Sequence, residues 1–108
     1  MDEGRARELL AARRADIEAQ LRAAGVGVEG DEEGGESANA ASDTYQAEFD
    51  EGRVEELQAD LAAVERAEQR LADGSYGLSI ESGRPIPDER LEALPTAERT
   101  VDEEEERG

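Results

Sequence analysis

The stretch that decides the fold runs from Asp73 to Glu103 and reads DGSYGLSIESGRPIPDERLEALPTAERTVDE. It contains two short words, Ser79-x-x-Ser82 and Thr100-x-x-Glu103, with 17 residues between them. A structural zinc site of the four-cysteine type has this layout, two C-x2-C turns separated by a spacer of about 15–20 residues. Here the four ligand positions hold Ser, Ser, Thr and Glu, and the whole chain has neither Cys nor His. Hydroxyls that stay protonated near neutral pH are poor zinc ligands, and a single carboxylate does not hold the ion alone. The expectation is a small zinc-ribbon-like lobe that binds no metal.

Without the ion, such a lobe loses a contribution of order 10 kcal/mol to its folding. Seven large side chains are candidates to replace it by packing on each other and on the preceding helix: Tyr76, Leu78, Ile80, Ile86, Leu91, Leu94 and Val101. Full burial of each contributes roughly 1.5–3 kcal/mol. Ser79, Ser82 and Thr100 are expected to hydrogen-bond across the two turns, at about 1 kcal/mol net for each bond. Tyr76 to Ile86 reads as a short two-stranded turn around Glu81-Ser82-Gly83. A short helix opens at Pro87 and ends before Pro95. Residues 102–108 read as a frayed acidic tail.

Upstream, the pattern is helical. Between Gly4 and Ala24 the strong helix formers Ala, Arg, Glu and Leu dominate, and Ala6, Leu10, Ile17, Leu21 and Ala24 fall on one stripe. Gly25 and Gly27 stop it. Residues 25–41 carry five Gly and five acids and read as a loop. Glu29, Asp31, Glu32, Glu33 and Glu36 lack the ordered offsets of a calcium loop. Ser42 or Asp43 can cap a second helix, with Gln46 three residues after Asp43. That helix runs to Ala72 through Gly52, a length of roughly 45 Å at about 1.5 Å per residue. Val54, Leu57, Leu61, Val64 and Leu71 form a coiled-coil seam interrupted only at Glu68. Two helices with single apolar stripes and one connection fold back on each other. Tyr45 and Phe49 would then reach Val26 and Val28. The expected architecture is mostly α: an antiparallel hairpin over residues 4–72, a degenerate zinc-finger lobe over 73–101, and the tail.

Composition sets limits. The 108 residues carry 30 acids against 12 Arg and no Lys, a net charge of −18. Such a chain repels nucleic-acid phosphates, so no direct DNA or RNA binding is expected. The acid is spread along the whole chain, as in a surface adapted to a saline or acidic medium, and the competing reading is a face that seeks a basic groove. Leu, Ile, Val and Phe together number 18, under one-fifth, a level at which placement decides whether the chain folds at all. No apolar run approaches the roughly 20 residues of a membrane span, and MDEGRARELL lacks the features of a signal peptide. A cytoplasmic protein is expected. No Gly-rich phosphate loop, nucleophile elbow or differentiated carboxylate pair is present, so neither enzyme activity nor a cofactor is expected.

The words DGSYG before Ser79, GRPIP after Ser82 and RLEALPTA before Thr100 resemble the carboxy-terminal finger of the DksA/TraR family. The resemblance is specific over about thirty residues and looser over the helices. It implies a bacterial regulator that inserts its hairpin into the secondary channel of RNA polymerase, with acids at the tip near the catalytic centre. The family's tip word is Asp-x-x-Asp-x-Ala. The corresponding residues here are Ala40, Asp43 and Tyr45, so one acid of the word is retained. Members that respond to guanosine tetraphosphate hold it with basic residues. The second helix has only Arg53, Arg66 and Arg70 among Glu55, Glu56, Asp60, Glu65 and Glu68, and no such response is expected. The alternative is a helical interaction module of the same fold with another partner. The chain would act as a monomer, or as a weak homodimer joined through the Val54–Leu71 seam.

Overall fold

The computed structural model describes residues 1–28 and 51–107. Four helices are present there: α1 (Glu3–Ala23), α2 (Glu51–Asp73), α3 (Asp88–Ala93) and α4 (Val101–Arg107). Expectations that concern residues 29–50 lie outside the described residues. They include the acidic loop, the Asp43 cap, the contacts of Tyr45 and Phe49, and the Ala40–Tyr45 tip word.

Local chemistry sets the limits of the long helices. Asp2 caps α1, its carboxylate accepting the Arg5 N–H at 3.0 Å. At the other end Gly25 turns left-handed at φ 82°, and the Gly25 and Val26 N–H groups return to the carbonyls of Arg22 and Leu21, both at 2.9 Å. This is a Schellman ending, and a side chain at Gly25 would be strained there. Helix α2 stops in the same way at Gly74, with the Ser75 N–H donating to the Arg70 carbonyl at 2.9 Å.

The chain divides into two compact units, Met1–Arg13 with Ala63–Gly108, and Arg14–Ala62. In each, one end of α1 meets the opposite end of α2, so the helices pack antiparallel as the apolar stripes predict. The second unit buries Ile17, Leu21, Ala24, Val28 and Leu57. There the Arg53 guanidinium donates to the Gln20 side chain at 2.7 Å. In the first unit the helices bury Ala6, Leu10, Val64 and Ala67. Fully buried alanines on both helices, Ala6 and Ala67, permit close approach of the two backbones. Leu57 and Val64 of the expected coiled-coil seam are thus covered within one chain.

The lobe of the first unit has a small core of Ile86, Leu91 and Ala97, against which Met1 and Tyr76 pack. The Tyr76 hydroxyl donates to the Pro95 carbonyl at 2.8 Å, so the half-buried ring has its polar end satisfied. Ion pairs tie the lobe to the helices. Arg5 forms a two-pronged bond with Glu92 at 2.8 and 2.7 Å. Glu98 accepts from both Arg66 at 3.0 Å and Arg70 at 3.1 Å. Burial pushes the Glu98 carboxyl up, but Arg66 and Arg70 outweigh it and the net displacement is downward.

Three expectations for the lobe need correction. Leu78, Ile80, Leu94 and Val101 are exposed, not packed. The reason is a period of two: along the extended segment Ser79 points inward, which turns Leu78 and Ile80 outward. The two-stranded turn reduces to a single antiparallel bridge between Leu78 and Pro85. The acidic tail is not frayed but forms α4, with Glu103 buried.

Candidate functional site

The words that open the sequence argument meet in space. Ser79 lies on the extended segment after the Gly77 turn and is 5% exposed, and Glu103 lies on the first turn of α4 and is 6% exposed. The Ser79 hydroxyl donates to Glu103 Oε1 at 2.6 Å. The same oxygen accepts the Thr100 N–H at 2.9 Å. In return the Glu103 N–H donates to Thr100 Oγ1 at 3.3 Å. Ser79 Oγ also accepts the N–H groups of Glu81 at 3.1 Å and Ser82 at 3.2 Å, which closes the first turn. The other carboxylate oxygen, Glu103 Oε2, accepts from Arg84 at 3.3 Å.

Ser79, Ser82, Thr100 and Glu103 therefore form one hydrogen-bonded cluster whose acceptor is a carboxylate. Its donors favour the charged form. Hydrogen bonds from the Ser79 and Ser82 side chains and the Thr100 backbone, with a further one from Arg84, pull the Glu103 carboxyl down to about 2. The donor set does not fit zinc. Two of the four groups are neutral serine hydroxyls already engaged in hydrogen bonds, and the one carboxylate is saturated by them. Among the described residues, no three metal-binding side chains gather elsewhere.

The reciprocal bonds between Thr100 and Glu103 are a capping box, in which an N-cap Thr and a Glu three residues on satisfy each other's N–H groups. That role for Glu103 was readable in the sequence, since T-x-x-E opening a run of good helix formers is its signature. Reading the word only as two vacated ligand positions hides the helix it starts. A second ionic knot braces the turns: Arg99 pairs with Glu81 and, at 3.3 Å, with Glu104. Nothing in the residue spacing singles out Arg99.

No family model matches the chain. Among solved structures, that of transcription factor DksA2 from Pseudomonas aeruginosa is similar over 97% of this chain and 81% of its own, with a TM-score of 0.68 and 24% identity. At that identity the likeness speaks for the fold. Two curated relatives carry the sequence side. General stress protein 16O of Bacillus subtilis is 50% identical over 42 residues. The RNA polymerase-binding transcription factor DksA of Caulobacter vibrioides is 44% identical over 45 residues. The chain is similar to DksA proteins, in sequence over these segments and in fold over most of its length. The matched segments cover 39% and 42% of this chain but only 26% and 32% of those two relatives. The lobe of this chain, which has no cysteine, carries the carboxylate cluster at Ser79, Ser82, Thr100 and Glu103.

No helix among the described residues is long and apolar enough to cross a membrane.

Proposed function

We propose that this chain binds RNA polymerase through its secondary channel, hairpin first, and modulates transcription without zinc. The observation that carries the reading is the 44% identity over 45 residues to a factor named for polymerase binding. The DksA2-like fold over 97% of the chain supports it. In this reading the hairpin supplies reach and the lobe rests on the channel rim. Ala40, Asp43 and Tyr45 form the tip, with Asp43 as the single retained acid.

No response to guanosine tetraphosphate is part of the same proposal. The arginines of α2 that would meet its phosphates are already engaged. Arg53 bonds Gln20 and Glu56, and Arg66 and Arg70 share Glu98.

The test is capture of core RNA polymerase on immobilised full-length protein across a salt series. It is paired with Asp43→Asn in a promoter-complex lifetime assay. Retention of polymerase, with the lifetime effect lost in the variant, is the expected result. Absence of polymerase at every salt concentration overturns the reading.

A further inference from the structure

The large apolar side chains exposed among the described residues, Leu78, Ile80, Leu94 and Val101, all belong to the lobe. Leu94 and Val101 line one open groove. Two adjoining hollows, of about 410 and 360 Å³, share Pro87 and Val101 and are floored by Pro85, Ala93 and Leu94. α3 and α4 form its sides.

Charge defines what fits. Residues 74–107 hold ten acids against four arginines. Three of those arginines are already bonded within the lobe: Arg84, exposed at the groove, to Glu103; Arg90, also at the groove, to the Arg99 carbonyl; and Arg99 to Glu81 and Glu104. Glu89 and Asp102 at the groove, and Glu105 and Glu106 on α4, have no ion-pair partner among the described residues. The outward field at the groove is therefore negative around an apolar floor. A second copy, carrying a net charge of −18, is repelled from it.

We propose that this groove docks a basic protein segment that inserts a large aliphatic side chain between Leu94 and Val101 and sets Lys or Arg against Glu89 and Asp102. The assignment is of a partner by its chemistry and holds whether or not polymerase supplies the segment. Apolar insertion gives the contact its affinity, and the carboxylate rim sets partner choice and association rate.

The probe is a helical peptide with Leu along one face and Lys on the other. Its control is the same peptide with Ser for every Leu and unchanged charge. Each is titrated into the isotope-labelled full-length protein at near-physiological salt, with amide shifts as the readout. The Leu peptide is expected to shift residues 85–94 and 101–102, with the Ser peptide weaker by about 10- to 100-fold.

Val101→Asp separates docking from plain charge attraction. It adds an acid at the first turn of α4, where helices favour one, so the fold is kept. Attraction alone would tighten binding of the Lys-bearing peptide, whereas docking predicts at least about tenfold weaker binding. Leu94→Ser, at the end of α3, is expected to act in the same direction. Equal shifts by both peptides spread over α1 and α2 overturn the proposal. So does unchanged or tighter binding to Val101→Asp, or sedimentation showing that the chain pairs with itself through this groove.

Discussion

Replacing Ser79 by Ala removes one oxygen that makes three hydrogen bonds, at 2.6, 3.1 and 3.2 Å. At roughly 0.5–1.5 kcal/mol net for each bond, and with two turn N–H groups left to find new partners in a buried place, the loss sums to about 2–4 kcal/mol. For a chain of this size each kcal/mol moves the melting temperature by about 4–8 °C, so a fall of more than 10 °C is expected. Far-ultraviolet dichroism follows the helices, and tyrosine fluorescence reports on the Tyr76 environment. The control is Leu78→Ala, one residue away but exposed, which is expected to stay within about 0.5 kcal/mol of the parent. The pH dependence gives a second reading. The Glu103 carboxyl is pulled down from 4.5 to about 2, so it binds a proton more readily in the unfolded chain. Its contribution is complete above about pH 4.5 and is lost as the pH falls towards 2. In Ser79→Ala the largest cause of that displacement is gone, so the parent should show the steeper loss over this window. A variant that melts within 2 °C of the parent, or an identical acid limb in the two proteins, refutes the idea that this cluster holds the lobe together.

Three further outcomes follow from the same structure. Leu91→Ala, at a fully buried position in a core of few residues, should cost about 2–5 kcal/mol by urea denaturation, with the lobe lost before the hairpin. A strong chelator should leave the melting temperature unchanged, and metal analysis of the purified protein should find less than one equivalent of zinc; recovery of one equivalent would contradict the cluster's chemistry. Raising KCl from 0.1 M to about 1 M should raise the melting temperature, because screening shortens the Debye length from about 10 to 3 Å and relieves the self-repulsion of a net −18 chain. The exposed ion pairs that salt weakens are worth little each, so a fall in melting temperature would show that the ionic ties of Glu98 and Glu92 dominate instead.

The hairpin was legible because helix periodicity states which residues face inward. Ala6, Leu10, Ile17, Leu21, Leu57 and Val64 were read from spacing and are buried. Gly25 and Gly74 marked the helix ends because only Gly takes a positive φ there without strain. The lobe was less legible because hydrophobicity alone does not fix direction in a short extended segment. Leu78 and Ile80 look like core until Ser79 is known to face Glu103, and that pairing joins positions 24 residues apart. The core instead draws on Ala97, which is too small to attract notice, and on Met1 from the far end of the chain. Helix α4 was hidden by its charge. Five acids in succession read as a solvated tail, yet one of them is an internal acceptor that anchors the helix. The candidate tip at Ala40, Asp43 and Tyr45 lies outside the described residues and rests on the resemblance alone.

Glu103 holds two memberships at once, bonded to Thr100 in the opening turn of the last helix and to Ser79, whose oxygen closes the first turn. Neither turn can come undone by itself. Hydrogen–deuterium exchange should accordingly release the amides of Glu81, Ser82, Thr100 and Glu103 at a common rate, as one cooperative opening. A proteolytic nick or a frameshift just ahead of Glu103 would cost the protein its finger, although every residue of that finger's first turn remained in place.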